Sequence, residues 1–170
     1  MGTNNIDDEY LINLERGRES EDKFLENLHN LGRIAEIYYL ERNGKKYQLI
    51  ETFKNIFVRC PDIQITENNG EVILRIEVKS FTKLYSDDGK YFVTIPKVQF
   101  EDYISLLEFE EIEIKVVFHI RNSDTWCWED LITLDSKKSK PKKAYFTRDD
   151  RYHYLWDYET LNTNFDWIVQ

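Results

Sequence analysis

The sequence predicts a mixed α and β domain, and three observations carry that expectation. Phe24, Leu25, Leu28 and Leu31 recur at helical spacing and are stopped by Gly32. Val72 to Lys79 and Ile112 to Ile120 alternate apolar residues as strands do. Between those strands, Pro96 can open a second helix carrying Val98, Tyr103, Ile104, Leu106 and Leu107. The resulting order is helix, several antiparallel strands, helix, strand.

Taken in order, residues 1–16 are polar and acidic, and Tyr10, Leu11 and Leu14 suggest only a turn or two of helix at a frayed end. The first full helix is expected from Arg18, with Ser20 as its N-cap. Residues 34 to 50 read as a hairpin around Asn43-Gly44. Strands at about 57–66 and 71–80 are joined by Glu67-Asn68-Asn69-Gly70, a strong turn signal. Beyond Trp126 the chain becomes rich in aromatics and is expected to pack on the core as an extension, with Trp126 and Trp128 on alternate positions of a strand.

A chain of 170 residues, 41% hydrophobic and 15% aromatic, closes one core more readily than two. We expect a single domain made of a polar segment 1–16, a core 17–121 and an extension 122–170. The net charge of −9 excludes a sequence-wide basic surface, so a polyanion would have to be met locally. The concentrated basic segment is KKSKPKK, with Lys137, Lys138, Lys140, Lys142 and Lys143. Base rates favour a solvated loop there, and phosphate contact is the functional alternative. No apolar run is long enough to span a bilayer and the first 30 residues are charged throughout, so a soluble, cytoplasmic chain without membrane attachment is expected. Cys60 and Cys127 lie far apart with no histidine pair nearby, which excludes a zinc knuckle and a disulfide scaffold. His119 and His153 lack partners at ligand spacing and read as ordinary histidines.

The chemistry is concentrated in the second hairpin. The pleat of Val72 to Lys79 places Val72, Leu74, Ile76 and Val78 on one face and Arg75, Glu77 and Lys79 on the other. If Asn69-Gly70 is a two-residue loop, Asp62 stands opposite Glu77; a three-residue loop would shift that pairing. Opposed residues have Cβ atoms about 4.5–5.5 Å apart, so two carboxylates there repel unless a cation sits between them. Lys79 could serve, and so could Mg²⁺ or Mn²⁺, which take hard oxygen ligands. Glu21 continues the apolar stripe of the first helix toward the core and offers a third carboxylate. Its structural alternative is a first-turn acid that meets the helix dipole.

Pro61-Asp62, fourteen intervening residues, then Glu77-Val78-Lys79 resembles the signature of the PD-(D/E)XK nuclease superfamily. The acid-x-Lys pattern alone occurs five times and means little; the Glu77 copy differs because it follows the one Pro-Asp of the chain at hairpin distance. Gly17 four residues before Glu21, the string Ile76 to Ser80 (IEVKS), and Gln99 after a strand are similar to the archaeal Holliday junction resolvase branch. Gln99 and Tyr103 also form the QxxxY pattern of RecB-like members. The resemblance covers about residues 16 to 120 and implies a restriction endonuclease-like αβββαβ core, with a mixed central sheet flanked by helices. It further implies a metal-dependent deoxyribonuclease in which Asp62, Glu77 and the main-chain carbonyl of Val78 ligate Mg²⁺ (or Mn²⁺). Lys79 would orient the attacking water, and Glu21 would act through water or hold a second ion. Gln99 would bind Lys79, a ligand or the DNA backbone. Arg18 and Tyr103 join the lysine tract as expected DNA contacts. A resolvase makes two cuts and so implies a homodimer. The alternatives are a catalytically silent nuclease fold that binds nucleic acid or a protein partner, and an acidic interaction module that competes with DNA.

Overall fold

The computed structural model describes residues 4–42, 45–52, 56–143 and 152–169. α1 (Asn4–Asn30) is one continuous helix, so the acidic leader is helical and Ser20 lies inside it rather than capping it. Nothing in residues 4–16 breaks a helix: there is no proline or glycine, and Glu, Leu and Arg favour it. The end falls where the sequence places it. Gly32 adopts φ +78° and the Arg33 N–H closes back on the Leu28 carbonyl at 3.0 Å.

After β1 (Ile34–Ile37) come two short ribbons, β2 (Leu40–Arg42) with β3 (Lys45–Tyr47) and β4 (Leu49–Glu51) with β5 (Phe57–Arg59). The expected 34–50 hairpin is therefore confined to β2 and β3; its turn residues Asn43 and Gly44 lie outside the described residues. β1 pairs instead with β6 (Ile63–Thr66), because Ala35 has an apolar face to bury against the sheet. β6 pairs antiparallel with β7 (Val72–Phe81). β8 (Tyr85–Asp87), β9 (Lys90–Pro96) and α2 (Lys97–Glu110) then lead to β10 (Glu113–Ile120), which lies parallel to β7. β11 (Thr125–Asp130) adds an antiparallel edge, giving a mixed five-stranded sheet in the order β1-β6-β7-β10-β11. α3 (Leu131–Lys137), β12 (Lys142–Lys143) and β13 (Tyr152–Asp157) follow, and β12-β13-β9-β8 form a second sheet. Residues beyond 122 thus complete both sheets rather than lying on a finished core.

The central sheet separates two cores. On one face Phe24 and Leu28 of α1 cover Ile63, Ile65, Leu74, Ile76, Val78 and Val117. On the other, Phe100, Tyr103 and Leu106 of α2 and Leu131 and Leu134 of α3 cover Ile114, Val116, Phe118 and Ile120. α2 turns Phe100 and Tyr103 inward, which leaves Val98 68% exposed instead of in the core.

The hairpin register holds by compensation. The turn is a three-residue loop, Asn68 to Gly70, closed by Glu67 and Glu71, with Gly70 at φ +83°. A bulge between Ile65 and Thr66 then shifts the pairing back, so that Ile65 meets Leu74 and Ile63 meets Ile76. Asp62 and Glu77 stand next in line.

The α2-facing residues of β7 are polar and paired. Arg75 makes a two-pronged pair with Glu110 at the end of α2 (2.7 and 2.9 Å) and reaches Gln64 Oε1 at 3.3 Å. Its guanidinium lies 5.2 Å from the Tyr38 ring centroid. Arg75→Ala leaves Glu110 without its partner and is expected to cost about 3–5 kcal/mol in urea unfolding; a loss below about 1 kcal/mol would show the pair to be dispensable.

Candidate active site

Asp62 sits where the chain leaves the β4-β5 ribbon and enters the sheet. Its carbonyl accepts from the Tyr38 N–H at 3.1 Å, and its carboxylate is held at both oxygens. Oδ2 accepts from the Val78 N–H at 2.9 Å and Oδ1 from Gln48 Nε2 at 3.1 Å. Gln48 is delivered there because its own carbonyl takes the Cys60 N–H at 2.9 Å. On β7, Glu77 is 1% exposed. Its Oε1 accepts from Lys79 Nζ at 2.5 Å and from Gln99 Nε2 at 3.0 Å, while Oε2 is buried with no hydrogen-bond partner. Of the expected partners of Gln99, namely Lys79, a ligand or the DNA backbone, the one it reaches is a carboxylate expected to be a ligand, Glu77. The same amide nitrogen also lies 2.5 Å from the Tyr103 hydroxyl, one turn on.

Glu21, Asp62, Glu77, Lys79 and Gln99 line one cleft of about 790 Å³, together with Val78, Gly17 and Gln48. Glu21 stands well inside α1, so a first-turn role is excluded. A Cβ on Gly17, one turn before it, would meet nothing, which leaves open space beside the helix backbone. Burial, and then the charges of Glu77 and Glu21, push the Asp62 carboxyl well above the usual carboxylate range against the opposing pull of Lys79. Glu21 is raised by burial and then by Glu77. The cleft therefore gathers more buried negative charge than Lys79 offsets.

That imbalance, with the unpartnered Glu77 Oε2, suits a hard cation. Among the described residues, no three His, Cys, Asp or Glu side chains converge into a complete cage. The donors on offer are few oxygens, which is the setting Mg²⁺ accepts because it keeps several waters. Cysteine chemistry does not compete: Cys60 and Cys127 are free and buried, and burial pushes each thiol up to about 12.

A polar network pins α1 against the sheet beside the site. Ser20 Oγ donates to Ser80 Oγ (3.0 Å) and lies 2.9 Å from His119 Nδ1, whose Nε2 lies 2.9 Å from Asp124 Oδ1. The His119 ring stacks on Trp126 with centroids 3.8 Å apart, and Lys23 of α1 also pairs with Asp124 at 2.7 Å. His119 is thus part of the frame that seats Glu21 and Lys79, each adjacent in sequence to one of the bonded serines.

Other expected contacts lie elsewhere. Tyr103 has no exposed surface, so it stands behind Gln99 and does not touch a ligand. Arg18 is exposed on α1, close enough to act on Glu21. None of the five tract lysines lines the cleft. Lys137 pairs with Glu129 (3.2 Å), Lys142 with Asp87 (2.8 Å) and Lys138 with Asp135. The cations that do line it are Lys46, Arg59 and Arg121, with Lys79. Sequence reasoning missed them, and Gln48, because they come one at a time from separate elements.

No family model matches the sequence, and no curated protein matches it. The architecture is that of the restriction endonuclease-like fold, a mixed sheet flanked by helices. Solved structures that share it include Hjc, a Holliday junction resolvase of the archaeal hyperthermophile Archaeoglobus fulgidus, and D212, a nuclease from a fusselovirus. The first superposes with a TM-score of 0.51 at 16% identity over 84% of this chain and 89% of that one. The second does so with a TM-score of 0.50 at 12% identity over 92% and 88%. No helix among the described residues is long and apolar enough to cross a membrane.

Proposed function

We propose that this chain is a metal-dependent endonuclease that hydrolyses DNA phosphodiester bonds, with branched DNA such as a four-way junction as the substrate suggested by the Hjc likeness. The observation that carries this reading is the buried Asp62 and Glu77 pair with an uncommitted Glu77 Oε2 and an adjacent Lys79.

Phosphodiesters resist hydrolysis because water must approach an anion and the leaving oxygen departs with charge; a bound Mg²⁺ or Mn²⁺ would neutralise both and acidify a water. Asp62, Glu77 and the Val78 carbonyl would hold it. The Val78 N–H and Gln48 fix the Asp62 carboxylate, and Gln99 fixes the Glu77 carboxylate through Oε1, leaving Oε2 for the ligand. Lys79 orients the attacking water or stabilises the developing charge. Glu21, at the α1 side of the cleft, would hold the ion through a water or hold a second ion. Cutting a junction on opposed strands requires two such sites, so this reading includes a homodimer. A silent nuclease fold has less support, since each carboxylate keeps its orienting partner.

Phosphate contacts are assigned to Lys46, Arg59 and Arg121 at the cleft. Arg59→Ala with Arg121→Ala is expected to flatten the log–log salt dependence of DNA affinity by up to about one slope unit per cation. Neutralising the five tract lysines should change it less; the reverse order would return the DNA path to the tract.

A further inference from the structure

One surface at the cleft has no part in holding the carboxylates. Tyr39, just before β2, and Tyr47, the last residue of β3, are 42% and 41% exposed. Lys46, on β3, holds its ammonium 5.4 Å from the Tyr39 ring centroid. Lys46 and Tyr47 line the same cleft as Glu21, Asp62 and Glu77. Tyr39 is joined to the cleft through Lys46, and burial, and then the charge of Glu21, push its hydroxyl above its usual range. Several tyrosines keep much of their surface free, Tyr91 and Tyr152 among them; of these, Tyr47 lines this cleft and Tyr39 lies beside a cation that lines it.

A half-exposed ring beside a lysine, with a second half-exposed ring next to it on the same ribbon, suits one ligand chemistry: a flat π-surface carrying a phosphate. Duplex bases are stacked on each other and offer no face to a tyrosine. An unpaired nucleotide offers both a face and a charge. We propose that the Tyr39, Lys46 and Tyr47 surface is a stacking platform for an unpaired DNA base next to the phosphate at the carboxylates, so that the substrate carries unpaired nucleotides at the cut site. This rests on the proposed nuclease reading, which supplies the phosphate at the cleft. It adds a requirement on substrate structure that the carboxylates do not impose: among branched DNAs it selects a flap, a bulge or a junction with unpaired nucleotides at its branch over a fully paired four-way junction.

The test measures binding, not cleavage. The full-length chain carrying Glu77→Gln is titrated in EDTA against three fluorescent DNAs of one sequence: single strand, duplex, and duplex with an unpaired bulge holding 2-aminopurine. Tyr39→Ala and Tyr47→Ala are expected to weaken binding of the single strand and the bulge by about 5- to 150-fold each. Duplex affinity should change by less than about twofold. The 2-aminopurine emission should be quenched by the parent protein and recover in the alanine variants, and the phenylalanine variants should restore both affinity and quenching. Equal losses on all three DNAs, no loss on any, or failure of phenylalanine to rescue would each overturn the platform. The half-exposed rings contribute little to the core, and unchanged melting of each variant confirms that folding is not what is read. If the parent binds unpaired DNA through these rings while the wild type cuts nothing, the nuclease reading fails and the platform stands.

Discussion

Glu77→Gln is expected to lower metal-dependent cleavage by more than about 100-fold while the protein stays folded. Orienting partners around a metal ligand alone are worth about 10- to 100-fold, and Glu77 would be a ligand itself. The substitution keeps the side-chain volume, and Gln99 can still donate to Oε1. What disappears is the charge that holds Lys79 and the oxygen left without a partner. Added Mg²⁺ should raise the melting temperature of the wild type through binding to the folded state and leave that of the variant unmoved. A variant that cuts at near wild-type rate, or one that unfolds, would contradict the assignment.

Asp62→Asn should separate function from stability with opposite signs. Cleavage falls as for Glu77→Gln, but the metal-free protein becomes more stable at neutral pH. The Asp62 carboxyl holds its proton more tightly folded than unfolded because burial, Glu77 and Glu21 all oppose its charge. Its stabilising contribution is therefore present below the usual carboxylate range and is lost as pH rises through the elevated folded value. Each unit of upward displacement removes about 1.4 kcal/mol. An amide carries no charge to bury, its oxygen can still accept from the Val78 N–H, and the Gln48 amide can turn to accept from its nitrogen. Urea unfolding without metal should show wild-type stability falling from acid to neutral pH and the Asp62→Asn profile nearly flat, with a gain of more than about 1 kcal/mol at neutral pH. A variant less stable than wild type at neutral pH would show that the carboxylate is satisfied without a cation.

The face shared by Arg75, Glu77 and Lys79 was legible because strand period is a local property: Leu74, Ile76 and Val78 had to turn to α1. The alignment of Asp62 with Glu77 was legible only in outcome. The loop is one residue longer than Asn-Gly suggests and the bulge at Ile65/Thr66 restores the register, and no local signal announces that bulge. Gln48 is a lone amide between β3 and β4, and its role exists only because β4 pairs with β5. Lys46, Arg59 and Arg121 come from distant parts of the chain and leave no local signal, whereas the lysine tract is contiguous. Ser20 read as a cap because Ser favours caps, but tertiary bonds to Ser80 and His119 give it a buried place inside a longer helix. The pairing of β13 with β9 could not be foreseen either, since the partners lie far apart in sequence.

The most direct test of the central claim is cleavage of labelled four-way junction, flap, duplex and single-stranded DNA by the purified chain in Mg²⁺, Mn²⁺ or EDTA, with Glu77→Gln alongside. The account predicts cutting of at least one substrate with either metal, none in EDTA, and none by the variant under any condition. Folded wild-type protein that leaves every substrate intact, or a variant that cuts as well as the wild type, would contradict it.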